Sequence, residues 1–178
     1  MPLASVQTDY AEVYSRSLRD PQGFWGEQAR QIPWITEPQT VLDQDENGVW
    51  RWFSDGELNS CYVALDQHVA QGRGDQTALI YDSPVTTTVE HFTFAQLLEK
   101  TATIAGGLAQ LGVSKGDVVI IYMPMVPETA AAMLACARIG AIHSVVFGGF
   151  APKELAMRID DASPKVCWPH RAVSRSIG

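Results

Sequence analysis

The sequence predicts an α/β fold in which a helical amino-terminal segment precedes βα units on a mainly parallel sheet. Three observations predict it. From Thr77 onward, short apolar runs alternate with stretches of helical spacing. Val118–Tyr122 (VVIIY) is an unbroken apolar run, the pattern of a strand buried on both faces of a parallel sheet. Tyr122–Phe150 (YMPMVPETAAAMLACARIGAIHSVVFGGF) then reads as a strand end, a buried helix, a second strand and a bare Gly-Gly.

Taken in order, Tyr10–Leu18 and Gly23–Ile32 are two short helices divided by Asp20-Pro21, an N-cap residue followed by a proline suited to a first turn. Trp25, Trp34, Trp50, Trp52 and Phe53 show no strand alternation and are read as packing anchors that dock this segment onto something larger. Leu58–Ala70 is a further helix ending near Gln71-Gly72, and Gly72–Asp75 is a surface turn. Ala78–Tyr81 and His91–Phe94 are short strands, and Thr93 caps the helix Phe94–Leu111. In that helix Leu97, Leu98, Thr101, Ile104, Ala105, Leu108 and Leu111 recur at three- and four-residue spacing, so one face is buried. Gly112 is its C-cap, and Gly106-Gly107 permits close packing of helix on sheet.

Lys115-Gly116-Asp117 turns into Val118–Tyr122, and Pro124 and Pro127 punctuate the exit. Pro127–Arg138 is the next helix, Gly140 ends it, and Ala141–Phe147 is the next strand. Pro152–Asp161 is a last helix, closed by Ser163-Pro164. Each crossover between parallel strands is expected to be right-handed.

A chain of 178 residues that is 46% apolar can bury one core. Its longest apolar stretch, Ala130–Phe150, is interrupted by Arg138 and His143, which argues against a membrane span. Met1–Thr8 has neither the basic region nor the apolar block of a secretion signal, so a cytoplasmic protein is expected. Cys61, Cys136 and Cys167 are odd in number and widely spaced, which predicts no disulfide and no zinc site. An Arg73-Gly74-Asp75 adhesion reading carries no weight without a secretion signal.

The formal charge is −7, and through Glu90 there are 5 Lys/Arg against 14 Asp/Glu. That balance excludes nucleic acid as a partner of the first half. Asp43, Asp45 and Glu46 flank the turn-forming Asn47-Gly48 and are read as a solvated surface rather than a cation site.

In open parallel sheets ligands sit at the carboxyl ends of strands, and Phe147-Gly148-Gly149-Phe150 lies at such an end. Adjacent glycines remove side chains where a ligand or another piece of chain approaches the backbone closely. They also serve a tight strand-to-helix turn, and both readings stay open at this stage. No GxGxxG follows a strand and no GxxxxGK[ST] occurs, so neither a dinucleotide fingerprint nor a standard phosphate loop is present.

His143-Ser144 is no nucleophile pair, because neighbouring strand residues point to opposite faces; a satisfied buried histidine is expected instead. Glu128, at a helix start, is a charge that favours the helix dipole rather than a general base. His68 and His91 have no partner by spacing, and Cys136 is small core filler.

These residues also carry a resemblance. GDVVIIYMPMVPETAAAMLACARIGAIHSVVFGGFAPKELAMRIDDASPKV, Gly116–Val166, closely resembles the early adenylating-domain segment of AMP-forming short-chain acyl-CoA synthetases, the acetyl- and propionyl-CoA synthetases. Upstream, YSRSLRDPQGFWGEQAR (Tyr14–Arg30), WFSDGELN (Trp52–Asn59) and YDSPVTT (Tyr81–Thr87) are similar to the amino-terminal region of that family. The pattern leans toward the propionyl branch. Val63 and Gln67 depart from it where the family usually has Asn and Arg in the motif matching CYVALDQH.

The resemblance implies the amino-terminal part of the adenylate-forming large domain. Residues 1–76 then form the amino-terminal region, 77–166 the start of the AMP-binding domain, and 167–178 an aberrant tail. For the parent enzyme it implies a two-step ligase: a short-chain carboxylate and ATP give an acyl-adenylate and diphosphate, and the thiol of coenzyme A then displaces AMP. Mg2+ would neutralise phosphate charge. The Phe-Gly-Gly that matches Phe147, Gly148 and Gly149 would lie beside the nucleotide end of coenzyme A.

The family's Thr/Ser/Gly-rich loop with its Pro-Lys-Gly, its carboxylate pocket, its adenine-binding strands and the small domain with the adenylation lysine have no counterpart in this sequence. After Val166 the chain reads CWPHRAVSRSIG, where the family continues with an apolar strand and a Cys-Gly turn. Codons for VCWPHRAVSRSIG read one base out of register can spell VLASPCGIEVDR, so a single-base frameshift near Val166 is expected. Arg171 and Arg175 are accordingly not read as the family's basic contacts to the coenzyme A phosphate. Two functional classes result: a synthetase piece without catalysis of its own, or a non-catalytic module that joins an intact synthetase or weakly binds a coenzyme A-like nucleotide. The first is preferred, because a sheet cut after its opening strands leaves an unpaired edge and an uncovered apolar face, and the chain alone is then expected to bind none of ATP, coenzyme A and Mg2+ productively.

Overall fold

A computed structural model describes residues 9–149 and 151–169. The expectations for Met1–Thr8, Phe150, Arg171 and Arg175 lie outside the described residues. The chain divides into two units, Met1–Leu58 and Asn59–Gly178.

In the first unit, α1 (Tyr10–Arg19) and α2 (Pro21–Ala29) are divided where the sequence predicts. The Asp20 carboxylate accepts from Gly23 N–H at 2.9 Å, and Pro21 stands at the first helical position. A short antiparallel hairpin follows, β1 (Leu42–Gln44) and β2 (Trp50–Trp52). The sequence reading has no strands here. The turn chemistry makes them: Gly48 sits at φ 76°, and the Asp45 carboxylate accepts from Asn47 and Val49 N–H, each at 3.0 Å, and from Arg51 at 2.9 Å. The bond from Val49 is the first cause of a depressed Asp45 pKa. Asp45 is therefore a turn organiser and not merely solvated surface. The aromatic residues pack on one another, Trp25 on Trp52, Trp52 on Phe53 and Phe53 on Trp34, with centroids 5.6–6.2 Å apart. Trp50 is not part of this cluster and is exposed.

The second unit opens helically at residues 60–73, with π-helical segments Tyr62–Asp66 and Val69–Arg73. The Gln67 side-chain amide donates to the Val63 carbonyl, so the two positions that depart from the family pattern bond to each other. His68 lies against the Phe94 ring, centroids 4.5 Å apart, and burial lowers its pKa, with Arg73 adding to the effect.

Next, β3 (Thr77–Ser83) and β4 (Thr88–Thr93) pair antiparallel as a hairpin separate from the parallel sheet. Thr93 and Gln96 form a reciprocal capping box that starts α3 (Phe94–Gln110). Leu97, Thr101, Ala105 and Leu108 are its buried residues. Leu111 is exposed, and a Cβ at Gly106 or Gly107 would meet no atom within 4 Å, so that pair does not serve close helix-to-sheet packing here.

The parallel sheet has the order β6-β5-β7, built from β5 (Val118–Met123), β6 (Ile142–Phe147) and β7 (Val166–Pro169). Residues 167–169, read from sequence as an aberrant tail, thus pair with the centre of the sheet. α4 (Pro127–Arg138) joins β5 to β6, and α5 (Pro152–Ala162) joins β6 to β7.

Alternate β5 residues serve opposite faces. Val119, Ile121 and Met123 pack with Ala132, Ala135 and Cys136 of α4 and Ala105 and Leu108 of α3. Ile120 and Tyr122 pack with Val146 of β6 and Leu155 and Ile159 of α5. The first crossover steps one way under one face, and the second steps back past β5 under the other face. Reversing both direction and face gives the two crossovers the same hand.

His143 is exposed, not the buried histidine predicted, because β6 has β5 on only one side among the described residues. Arg138, at the end of α4, spans to the early helix of this unit: its Nη1 lies 2.9 Å from Asp66, and Asn59 Nδ2 donates to the Arg138 carbonyl at 3.0 Å. Cys61 and Cys136 are buried core thiols whose pKa values burial raises, that of Cys136 to about 11. No helix among the described residues is long and apolar enough to cross a membrane.

Two predictions test this packing. Ile121 is fully buried, so Ile121→Ala is expected to lower unfolding free energy by about 2–5 kcal/mol in urea titration. Asp117 accepts from Lys165 Nζ at 2.9 Å and from Ser114 N–H and Oγ at 2.8 Å, and these bonds, that from Lys165 first, hold its pKa at about 2 against an ordinary 3.8. A depressed carboxylate stabilises the fold above its unfolded value and loses that contribution as pH falls through the folded one. Asp117→Asn should therefore show a smaller loss of stability than the wild type between about pH 4 and pH 2.

Candidate functional site

In parallel sheets ligands bind outside the carboxyl ends of the strands. Here β5 and β6 end side by side, in register up to Met123 opposite Phe147. α4 leaves under one face and α5 under the other. The candidate crevice at these ends is formed by residues 124–126 after β5 and by Phe147-Gly148-Gly149 at the end of β6.

The three residues singled out from sequence all come to this point. Phe147 ends β6 with its ring 59% exposed. Gly148 backs directly onto the β5 exit: a Cβ there would lie 3.1 Å from both Met123 C and Pro124 N, and 3.3 Å from Met123 O. A Cβ at Gly149 would lie 2.6 Å from the Phe147 ring. Neither glycine has a positive φ. Of the readings left open by the sequence, close approach by another piece of chain is the one that accounts for the missing side chains. The crevice then offers the exposed Phe147 ring, the exposed Met125 side chain and the backbone of the glycine pair to whatever enters it.

The β5 exit is held by bonds the sequence reading passed over. The Pro124 carbonyl accepts from Val126 N–H at 2.9 Å and from Thr129 Oγ1 at 2.7 Å. Thr129 is buried in the first turn of α4. Nothing in TAAAMLACA distinguishes it, since threonine is an ordinary if weak helix residue. Glu128 stands beside it in the same turn and pairs with Lys100 of α3, whose ammonium also lies over the Phe92 ring. That fits a charge favouring the helix dipole and tying two helices together.

Among the described residues no catalytic constellation accompanies the crevice. His143 and Ser144 fall on opposite faces of β6, in register with Val119 and Ile120. His91 lies on the antiparallel hairpin. Among the described residues no group of three or more His, Cys, Asp or Glu side chains could hold a metal ion. The donor set therefore fits the approach of a ligand to backbone and apolar surface, and does not fit a Mg2+–triphosphate site.

Comparison with known proteins bears on the same segments. The family model described as AMP-binding enzyme matches residues 66–176, and the model described as acetyl-coenzyme A synthetase N-terminus matches residues 10–64. An uncharacterised protein of Pseudomonas aeruginosa is 58% identical over 157 residues, covering 88% of this chain and 25% of the relative. The human mitochondrial acyl-CoA synthetase short-chain family member 3 is 50% identical, over 89% of this chain and 23% of its own length. The acetyl-coenzyme A synthetase of Streptomyces coelicolor is 49% identical, over 92% and 25%. The crystal structure of a Brucella canis acyl-CoA synthetase superposes with a TM-score of 0.62 at 30% identity, covering 67% of this chain and 21% of that one. The chain spans about a quarter of the length of the curated relatives it matches. With one family model over most of its larger unit, a second over its amino-terminal part and a solved acyl-CoA synthetase matching two thirds of the chain in three dimensions, the chain belongs to the AMP-binding enzyme family and is an amino-terminal segment related to the short-chain acyl-CoA synthetases.

Proposed function

We propose that this segment carries the coenzyme A side of an AMP-forming short-chain acyl-CoA synthetase and does not by itself form the acyl-adenylate. The observation that supports this reading is the meeting of the carboxyl ends of β5 and β6, where Phe147-Gly148-Gly149 follows the strand and Gly148 lies against the β5 exit. In the proposed assignment the nucleotide end of coenzyme A lies along this backbone, beside the exposed Phe147 side chain.

The reaction of the parent enzyme is the joining of a short-chain carboxylate, propionate or acetate, to coenzyme A. The carboxylate oxygen attacks the α-phosphorus of ATP and diphosphate leaves; the coenzyme A thiolate then attacks the acyl carbon and AMP leaves. ATP and Mg2+ belong to the first half of that sequence. The sequence has no GxxxxGK[ST] loop and no Pro-Lys-Gly motif to hold them, and among the described residues no cluster of carboxylates stands in. Phosphoryl-type chemistry depends on positioning and electrostatic stabilisation, so their lack removes the adenylation step rather than slowing it. We place the protein in the cytoplasm as part of the same proposal, although the printed names of the animal relatives assign those proteins to mitochondria.

Purified chain is expected to show no carboxylate-dependent ATP–diphosphate exchange and to melt cooperatively at a temperature raised by coenzyme A but not by ATP. Exchange above background would contradict the first half of the proposal, and a melt indifferent to coenzyme A the second. Gly148→Ala should lower stability by about 1–3 kcal/mol and abolish the coenzyme A shift, because the new methyl meets backbone atoms that cannot turn aside. A Gly148→Ala chain that melts and responds to coenzyme A like the wild type would remove Gly148 from the site.

A further inference from the structure

The β5 exit is three residues long, and one buried hydroxyl fixes it. Pro124 cannot donate a backbone hydrogen bond, so the loop has only its carbonyl to anchor at that residue. That carbonyl accepts from Val126 N–H and from Thr129 Oγ1, the latter at 2.7 Å. Thr129 is 3% exposed, and its own N–H donates to the Val126 carbonyl at 2.9 Å. Both ends of the loop are thus tied to a single residue. On its other side, Pro124 N and Met123 C are the atoms that crowd the vacant Cβ position of Gly148 at 3.1 Å. At such separations the loop and the Gly148 peptide move together or lose contact.

Helix propensity gives no reason for threonine at this position. A run of alanines follows it, alanine is the better helix former, and branching at Cβ costs rotamer freedom. What threonine adds is a hydroxyl that reaches back to the loop.

We propose that Thr129 is a positioning residue for the crevice: through the Pro124 carbonyl it sets the β5 exit, and through that exit it sets the Gly148 peptide along which coenzyme A is to lie. The proposal rests on the coenzyme A reading given above. Thr129 touches no reacting atom, and its effect passes through Pro124 and Gly148.

The test compares the wild-type chain with Thr129→Val, which keeps the shape and removes the hydroxyl, and Thr129→Ser, which keeps the hydroxyl. Coenzyme A affinity is measured by titration calorimetry, and amide hydrogen exchange at Val126 and Gly148 is followed without ligand. Thr129→Val should bind coenzyme A about tenfold more weakly, the effect of losing one buried hydrogen bond, and exchange faster at both amides. Thr129→Ser should restore both properties, and all three chains should melt within about 3 °C of one another. Equal coenzyme A affinity in the wild type and Thr129→Val overturns the proposal. If no chain binds coenzyme A, the ligand reading fails and exchange alone decides the positioning. Unchanged exchange at Gly148 in Thr129→Val then overturns it, and faster exchange rescued by serine upholds the path from Thr129 to Gly148.

Discussion

The burial of β5 on both faces is the constraint from which the rest of the larger unit follows. Val119, Ile120 and Ile121 are fully removed from solvent, and β5 is hydrogen-bonded to a parallel neighbour on each edge. A strand so enclosed has its backbone groups satisfied and its side chains committed to two separate cores. One core needs α3 and α4, and the other needs α5. Because successive crossovers must cover opposite faces, the chain adds β6 on one side of β5 and β7 on the other. The carboxyl ends of β5 and β6 are thereby brought side by side, and the position of the candidate site is set by the core before any ligand is considered.

Much of this was legible because the signals are local. The unbroken VVIIY run, prolines at the starts of α4 and α5, and the threonine before α3 each specify an element through a mechanism that acts within a few residues. What the sequence concealed depends on partners distant in the chain. His143 has the alternation of a buried strand, yet its exposure follows from the position of β6 beside β5 alone among the described residues. The β1–β2 hairpin was hidden because strands of three residues are too short for alternation to register, although Asn47-Gly48 marked its turn. The π-helical turns at Tyr62–Asp66 and Val69–Arg73 cannot be told from α-helix by periodicity at that length.

The site divides in the same way. Phe147, Gly148 and Gly149 were recognisable as a strand end, and the register sets that end beside the β5 exit. The reason Gly148 must be glycine was not recognisable, because the atoms that exclude a side chain belong to Met123 and Pro124, on a different strand exit. Thr129 was passed over for a similar reason: its hydroxyl acts on a carbonyl outside its own helix. The crevice is therefore shaped by the chain's own packing, and the chemistry assigned to it is recognition by backbone and apolar surface rather than catalysis.

The central claim is that coenzyme A lies along the Phe147–Gly149 backbone at the carboxyl ends of β5 and β6. A nitrogen-15 chemical-shift titration of the labelled chain with coenzyme A tests it most directly. Saturable shifts are expected to concentrate at Gly148, Gly149 and residues 123–126, with the Asp117–Lys165 end of the sheet unmoved. Saturable shifts confined to the opposite end of the sheet, or none at millimolar coenzyme A, would contradict it.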